Sequence, residues 1–390
     1  MSDSALLFAQ LTDLHVGGRG LNAVEADANL RWALAELGAL EPRPACALLT
    51  ADLVCGGTRE ELRQCTALLQ DATVPWHALP ANHDLWGEDD ASAWEELIGP
   101  CRHSVDLPGL RVVLWDDVQR KGDATWWAHA PDETLCWLDA ELSSASVPCI
   151  VAHHVPMLAL GDGFHDQWSG SNAPAVLEVL GKHDVIALIT GHWHRNGEWQ
   201  VGGMRVINTG ALAGWNWTGT PPHYCFPTRP GYRLFCLDGQ LRTLWREGSY
   251  WDAPAPACQV TLEWVGAAHT GGPRPQVHPV EVSGRCCVRV TAYSPNSDIA
   301  SVEWSTAQGQ WEPMTPLWQG VWSEWEAVLD PGAVRPAGEL VCCVRARSSA
   351  GAQAYDHVPV RFGQRDSSAK VSAVSYPLAE RLFELFYCPE

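Results

Sequence analysis

The sequence predicts an α/β domain followed by a smaller all-β domain, and three observations support this. Short apolar runs recur through the first 250 residues, each ending in polar residue types, with stretches suited to helices between them. Pro and Ala then dominate residues 252–258, where the character of the chain changes. The stretches that follow alternate apolar and polar residues between Gly, Pro, Asn and Asp. A chain of 390 residues also exceeds one ordinary core.

The first domain, residues 1–252, is predicted from its apolar runs. They are LLFAQLTDLH, ACALLTADL, WHALPANHD, CIVAHHVP and VIALITGHWH. Strands of layered α/β domains often carry a shared site at their carboxyl ends, where these polar residues fall. The intervening sequence predicts helices over 23–40, 58–71, 90–98, 134–144 and 173–181, the last beginning at Asn172-Ala-Pro174.

The second domain, residues 258–365, is predicted to be an antiparallel β-sandwich of immunoglobulin-like type. Its evidence is a series of alternating stretches such as QVTLEWV, RCCVRVTAY and VWSEWEAVL. Residues 366–390 form a C-terminal tail in which YPLAERLFELFY predicts a short amphipathic helix. We expect the β domain to pack against the first domain, to shape a wall of its cleft, or to support a homo-oligomer.

Composition excludes several classes of protein. Hydrophobic residues make up 46% and charged residues 18%, which is typical of globular chains rather than disordered ones. A net charge of -20 argues against nucleic acid and anionic membranes as partners. The N-terminus lacks a basic leader, and no apolar run reaches the roughly 18 residues of a membrane span, so we expect a cytoplasmic protein. The 14 cysteines are scattered or adjacent in this long chain, which predicts mostly buried thiols rather than a disulfide framework. They contain no CxxC pair, which argues against a structural zinc–thiolate site.

Five motifs that follow apolar runs predict a metal site. Any one of them has an ordinary explanation, because Asp and His near a turn often satisfy backbone groups. Their occurrence together, in this order and each after a candidate strand, is hard to attribute to chance. The set is Asp13-x-His15, Asp52, Asn82-His83-Asp84, His153-His154 and Gly191-His192-x-His194.

The residue types in these motifs suit a pair of metal ions. Imidazole nitrogen and carboxylate oxygen bind borderline metals, and two ions about 3.5–4 Å apart need a bridging ligand such as the Asp52 carboxylate. Residues two apart, as in Asp13-x-His15, face the same way if the backbone is extended. The neutral amide of Asn82 would limit the negative charge of a site that accepts an anion.

The motif order resembles the signature of calcineurin-like metallophosphoesterases, D-x-H, G-D, G-N-H-D/E, H and G-H-x-H, over about residues 5–210. This resemblance implies a four-layer α/β/β/α sandwich and two divalent or trivalent ions of iron, manganese or zinc. It implies that a hydroxide bridging the ions is the nucleophile. One ion would be held by Asp13, His15, Asp52 and His194, and the other by Asp52, Asn82, His153 and His192.

The resemblance also assigns catalytic roles. His83 would contact the substrate and protonate the leaving oxygen, with Asp84 orienting its ring. His153 is preferred as the ligand because it ends the apolar run CIVA, and His154 is the alternative. Two glycines of the signature are Ala51 and Ala81 here. Alanine fits where φ is negative, so the ligands can be retained while the extra methyl groups reduce the room for substrate.

Substrate contacts are predicted less specifically. His154 and His165 are candidates, the latter in a glycine-rich segment over 161–172 that is either a mobile loop over the site or a simple connection. Trp215 and Trp217 lie in a Gly/Trp-rich stretch and form either an aromatic wall for the substrate or part of a core.

The leading hypothesis is hydrolysis of a small anionic phosphate ester, with diesters preferred over monoesters. Three alternatives stay open at this point. The same metal pair could hydrolyse a phosphonate, sulfate or carboxylic ester, since Lewis acid activation is not specific to phosphorus. The chain could instead be a metal-binding scaffold protein without turnover, or a redox enzyme with a pair of irons.

Overall fold

The structure is a computed structural model of the chain. It describes residues 5–17, 23–87, 90–120, 126–157, 169–217, 225–249, 253–270, 279–282, 284–306, 310–330 and 339–362. Within these ranges, no helix combines the length and the apolar character that a membrane crossing requires. The C-terminal tail with its predicted helix, and the position of His165, lie outside them.

The first sheet has five strands in the order β15-β14-β1-β2-β3. Strands β1, β2 and β3 run parallel to one another, whereas β14 pairs antiparallel with β1 on one side and with β15 on the other. Both faces of β1 and β2 are buried, which explains their continuous apolar sequences. The bounds are β1 Leu6–Leu11, β2 Ala47–Thr50, β3 Trp76–Leu79, β14 Gly231–Leu237 and β15 Leu241–Glu247.

The second sheet has six strands in the order β10-β11-β9-β8-β5-β4. The four inner strands are parallel, and each edge strand is joined to the sheet by an antiparallel hairpin. The bounds are β4 His103–Leu107, β5 Leu110–Leu114, β8 Cys149–Ala152, β9 Val185–Thr190, β10 Gly197–Val201 and β11 Met204–Asn208. Two further hairpins pair β6 Val118–Arg120 with β7 Trp126–Ala128, and β12 Trp215–Trp217 with β13 Cys225–Pro227.

Five helices lie where the sequence predicts them: α1 Ala23–Ala39, α2 Arg59–Leu69, α3 Ser92–Leu97, α4 Asp132–Ser143 and α5 Ala173–Leu180. Helix α2 begins at a capping box in which Thr58 and Glu61 satisfy each other's backbone N–H groups. Pro174 lies in the first turn of α5, where its missing N–H is not needed.

The helices and sheets form four layers, α/β/β/α. One core lies between the first sheet and helices α1–α3, for example around Leu11, Leu30 and Trp94. A second fills the space between the two sheets, and a third lies between the second sheet and helices α4 and α5. Alternate residues of one strand therefore enter different cores.

The C-terminal part consists of two five-stranded sheets around a separate core that includes Leu262, Val290 and Val344. Their orders are β17-β16-β19-β23-β22 and β18-β25-β24-β20-β21. The bounds are β16 Gln259–Val265, β17 Ala268–His269, β18 Val280–Val282, β19 Cys286–Tyr293, β20 Ile299–Ser305, β21 Glu312–Pro313, β22 Thr315–Gln319, β23 Ser323–Leu329, β24 Glu339–Ser348 and β25 Gln353–Phe362.

Side chains of the C-terminal sheets contact the α/β part directly. Tyr293 and Trp322 belong to the core that contains helix α1. Arg242 forms an ion pair with Glu324 at 2.6 Å, and Trp318 donates its indole N–H to Asp238. The two parts therefore share an apolar and a charged interface. The twelve cysteines whose side chains are described are all free thiols, most of them at least partly buried, as predicted.

Candidate metal centre

The predicted ligands follow the carboxyl ends of strands from both sheets. Asp13 and His15 come after β1, Asp52 after β2 and Asn82 after β3 in the first sheet. In the second sheet, the histidines of the two later motifs follow β8 and β9, namely His153, His154, His192 and His194. Because the two sheets face each other, these loops meet at one edge of the layers.

The loops hold an unusual backbone conformation. Within the described residues, every non-glycine residue with positive φ belongs to them: Asp13, His15, Ala51, Asp52, His192 and His194, with φ between 49° and 71°. The backbone of the x-spaced motifs is therefore not extended. With left-handed residues at these positions, both members of each motif contribute to groups of donor atoms, while Leu14, between Asp13 and His15, is buried in the apolar core. Each such residue costs about 1–3 kcal/mol, which is typical of functional sites.

One cluster of donor atoms comprises Asp13, His15 and His194, whose ligand atoms lie within 4.8 Å of one another. The Nε2 atoms of the two histidines are 3.2 Å apart. The Asp13 Oδ1 atom lies 3.1 Å from His194 Nε2. All three residues are buried, so their lone pairs converge on a site largely shielded from water.

The second cluster comprises Asp52, His154 and His192, again within 4.8 Å. Asp52 Oδ2 lies 3.1 Å from His154 Nε2 and 3.9 Å from His15 Nε2, so this carboxylate faces both clusters. The buried Oδ1 of Asn82 has no hydrogen-bond partner within the described residues. Buried atoms of this kind require a partner, and a pair of borderline metal ions fits this set of donors.

Backbone carbonyls fix the orientation of two of these histidine rings. The Nδ1–H of His154 donates to the Thr50 carbonyl at 2.9 Å, and that of His194 donates to the Trp215 carbonyl at 3.0 Å. Each contact selects the tautomer that leaves Nε2 with a lone pair. The rings are thus prepared to act as metal ligands.

The electrostatics of the site follow from the close packing of carboxylates and imidazoles. Burial raises the pKa of Asp13, but His194 and His154 outweigh it and lower the pKa to about 2. Burial lowers the pKa of His192 to about 3. For His154, burial is outweighed by Asp52 and Asp13, which raise its pKa to about 10. Cation binding at His154 must therefore displace a proton.

Of the two adjacent histidines, the structure places His154, the alternative ligand, in the donor cluster, and not His153. His153 is completely buried beside Trp115, and its Nδ1 lies 2.9 Å from Asp117 Oδ2. The Asp117 carboxylate also accepts the backbone N–H groups of His154 at 3.4 Å and Val155 at 2.6 Å. Asp117 thereby holds the turn so that consecutive histidines point in different directions.

His83 lies beside the clusters, partly exposed. Its backbone N–H donates to Asp52 Oδ1 at 3.2 Å, and its Nδ1–H donates to the Cys55 carbonyl at 2.6 Å. Its ring meets the His15 ring edge-on, with centroids 4.7 Å apart. Burial lowers the pKa of His83, but Asp52 and the contacts with Cys55 raise it to about 9.

The structure does not place Asp84 as an orienting group for His83. Its carboxylate accepts the backbone N–H groups of Val54 at 3.1 Å and Ala81 at 3.0 Å, and no hydrogen bond to His83 occurs in the described part of the chain. Asp84 therefore connects the loops after β2 and β3. Burial, with Asp52 nearby, raises its pKa to about 7.

The fold and these clusters agree with a comparison against protein families. Residues 6–196 match the family model described as calcineurin-like phosphoesterase. This stretch of the chain belongs to the calcineurin-like phosphoesterase family. The predicted family and the predicted enzyme class, a metal-dependent phosphoesterase, are thereby confirmed.

Curated relatives of this phosphoesterase share about a quarter of the aligned residues. A probable glycerophosphodiester phosphodiesterase GpdQ of Arcobacter nitrofigilis is 24% identical over 200 residues, covering 49% of this chain and 72% of the relative. A glycerophosphodiester phosphodiesterase GpdQ of Enterobacter lignolyticus is 26% identical, covering 48% and 71%. A probable cyclic nucleotide phosphodiesterase of Synechococcus sp. is 27% identical, covering 49% and 74%.

Aromatic rings border the centre of this phosphoesterase. The Trp215 ring lies 4.0 Å from the His194 ring and 4.9 Å from the His15 ring, so the structure brings this predicted residue to the site. The side chain of Trp217 lies outside the described residues, as does His165. Trp86, 42% exposed, meets His83 edge-on at 4.9 Å and was not predicted, although it follows the N-H-D motif closely.

Sequence reasoning also missed Asp117 and Cys55. Asp117 follows the apolar run LRVVLW, so the pattern that identified the ligands points to it as well. The interpretation of the two alanines needs correction too. Ala51 has a φ of 71°, so its backbone is left-handed and not negative. Ala51 and Ala81 are fully buried between the sheets, where their methyl groups do not reduce the room for substrate.

Proposed function

We propose that this phosphoesterase hydrolyses phosphodiesters in preference to phosphomonoesters at a two-metal centre. The observation that carries the proposal is the convergence of two donor clusters on Asp52. Bound ions would activate water as a nucleophile and offset the charge of the phosphoryl oxygens. One ion would be held by Asp13, His15 and His194, the other by Asn82, His154 and His192, with Asp52 between them.

The leaving group is the part of the reaction assigned to His83. Its Nδ1 is engaged by the Cys55 carbonyl, which leaves Nε2 for the substrate. Its backbone N–H is attached to Asp52, so the ring is fixed relative to the proposed bridging ligand. A histidine held in this way can donate a proton to the departing alkoxide, which contributes about 10²–10⁴-fold to a rate.

The preference for diesters rests on the aromatic border of the site. The Trp215 ring contacts His15 and the Trp86 ring contacts His83, and an apolar or planar ester group can stack on such rings. A diester carries a second organic group and one negative charge less than a monoester dianion. The names of the curated relatives, all phosphodiesterases, support the same choice.

The test combines elemental analysis with a substrate panel. The protein is loaded with manganese, iron or zinc, and then assayed with bis-aryl phosphate, mono-aryl phosphate, aryl sulfate and an acyl ester. About two ions per chain with the fastest turnover of the bis-aryl phosphate would support the proposal. Two ions with faster turnover of the sulfate or acyl ester would replace it with the hydrolysis of another bond. Two ions without any turnover would favour a scaffold protein.

The role of His83 has its own test. His83→Ala should retain both ions, while kcat falls about 10²–10⁴-fold because the general acid is lost. The loss should be smaller for aryl leaving groups, which need little protonation. His183→Ala, at a histidine that pairs with Asp139, serves as the control. Equal loss of metal and activity in His83→Ala would contradict the assignment.

The choice between the adjacent histidines is tested by a matched pair of variants. His154→Ala should lose one ion per chain and more than about 100-fold in kcat/KM, since ligands matter more than their outer partners. His153→Ala should keep both ions, because its ring is turned to Asp117. Elemental analysis after dialysis distinguishes the two. The reverse result would restore His153 as the ligand.

The organisation of the chain is also a proposal. We infer a phosphoesterase domain at 1–252, an immunoglobulin-like domain at 258–365 and a tail at 366–390. The separate core of the C-terminal sheets supports this division. Free thiols support the cytoplasmic location predicted from the sequence. A homo-oligomer stays a prediction.

A further inference from the structure

Cys55 lies at the border of the metal centre without a role in the proposed reaction. It follows Asp52 by three residues, in the loop that begins where β2 ends, and its side chain is partly exposed. Its backbone carbonyl accepts the Nδ1–H of His83. The thiol therefore belongs to the same small loop that positions the proposed general acid.

The Cys55 sulfur is part of a third cluster of donor atoms. Its Sγ and one ring nitrogen each of His15 and His83 all lie within 4.8 Å of one another. The Nε2 of His15 already faces His194, and its buried Nδ1 has no hydrogen-bond partner within the described residues. With Nδ1 of His83 engaged by a carbonyl, Nε2 is the donor that remains on that ring.

These three donors differ in chemistry from the two clusters of the main centre. A thiolate with two imidazoles favours thiophilic cations such as Zn²⁺ and Cd²⁺ over Mn²⁺ or Mg²⁺. Ligands around one tetrahedral ion, with bonds of about 2.0–2.3 Å, lie about 3.5 Å apart. The donor atoms lie within 4.8 Å of one another, so they need to approach by at most about 1.3 Å, and the partly exposed Cys55 side chain can rotate about χ1.

We propose that Cys55, His83 and His15 form a binding site for a thiophilic divalent cation beside the metal centre. As the bonds to the cation form, the Cys55 thiol and a protonated His83 ring each release a proton to solvent. A His15 ring whose Nε2 holds an ion of the main centre must also release its Nδ1 proton, so that it bridges the two cations, and affinity therefore rises with pH. A cation there occupies the His83 nitrogen needed by the leaving group and acts as an inhibitor. That consequence rests on the proposed function, whereas binding itself does not.

The experiment is a Cd²⁺ titration of protein loaded with two manganese ions per chain. Thiolate-to-cadmium charge transfer gives an ultraviolet absorption band that reports binding independently of activity. The variants are Cys55→Ser, Cys55→Ala and, as the control, Cys136→Ser at an exposed cysteine of α4. In the unsubstituted protein and in Cys136→Ser, we expect the absorption band to reach its maximum at one Cd²⁺ per chain. Neither Cys55 variant should show the band.

Inhibition is measured in the same titration, relative to the rate of each variant without Cd²⁺. The Cd²⁺ concentration that halves the rate should rise at least tenfold in the Cys55 variants. An equal band in Cys55→Ser would overturn the site, as would release of manganese to the same extent in all proteins. If the absorption band depends on Cys55 but Cd²⁺ does not inhibit the enzyme, the result would support the site and contradict the role of His83 in the proposed function.

Discussion

Two regions of the molecule differ in their backbone. The loops at the carboxyl ends of β1, β2 and β9 contain left-handed residues, whereas the C-terminal sheets are regular. The loops hold all non-glycine residues of positive φ in the described part of the chain. The C-terminal sheets, in the same part, hold none of the donor clusters and bury a regular apolar core instead. Strain is thus concentrated where donor atoms must converge, and regular strands elsewhere supply the stability that supports it.

The largest loss of activity is expected from Asp52→Asn. Asp52 is the carboxylate that faces both clusters. A neutral amide in its place lacks the negative charge with which a carboxylate bridges two cations. We expect fewer than two ions per chain and a loss of kcat/KM of more than about 100-fold, which exceeds the loss typical of outer partners. Steady-state kinetics and elemental analysis provide the measurement.

A control for Asp52→Asn lies in the C-terminal sheets. Tyr355, in β25, is 62% exposed. Tyr355→Ala should leave both metal content and kcat/KM within about twofold. If Asp52→Asn retained two ions and near-normal activity, the loops would have no special role and the contrast between the regions would fail.

A smaller loss is expected from Asp117→Asn. The amide keeps an acceptor but weakens the bonds to the turn of His154 and Val155, so the His154 ring becomes less well fixed. Metal affinity should fall about 10–100-fold, the range typical of groups that orient ligands. Competition with a chelator measures this loss. High metal concentration should restore kcat, whereas a general folding defect would not be rescued in this way.

A loss of stability without a loss of activity is expected from a substitution in the C-terminal core. Leu262 is completely buried there, and Leu262→Ala should lower stability by about 2–5 kcal/mol through lost burial and a cavity. Because no proposed ligand lies in that core, kcat at low temperature should be unchanged. Thermal unfolding and kinetics on the same sample distinguish the effects. A proportional fall of kcat would indicate that these sheets shape the site directly.

Much of the α/β fold was predictable, because apolar runs buried on both faces have a strong pattern and each is followed by polar residues. The centre was predictable as a set for the same reason. The choice between His153 and His154 was not, since both follow β8 and only the contact with Asp117 decides which ring points inward. The contacts of Asp84 were equally hidden, because they join backbone atoms of two different loops.

The smallest effect is expected at Ala51, whose left-handed backbone conformation suits glycine better than alanine. Ala51 is left-handed at a φ of 71°, a conformation that costs an L-residue about 1–2 kcal/mol and costs glycine little. Ala51→Gly should relieve this strain. The loss of a buried methyl group, about 0.8 kcal/mol, and the greater freedom of glycine in the unfolded chain, about 0.4–1 kcal/mol, oppose that gain.

These terms nearly cancel, so the free energy of unfolding of Ala51→Gly should change by less than about 1 kcal/mol. Ala81→Gly provides the control: Ala81 is equally buried but lacks a positive φ, so only the two unfavourable terms apply. Denaturant unfolding should therefore place Ala81→Gly below Ala51→Gly in stability. Equal destabilisation of both variants would mean that the left-handed turn before Asp52 stores little strain, and that the ligand loops resemble the C-terminal sheets more closely than their dihedral angles indicate.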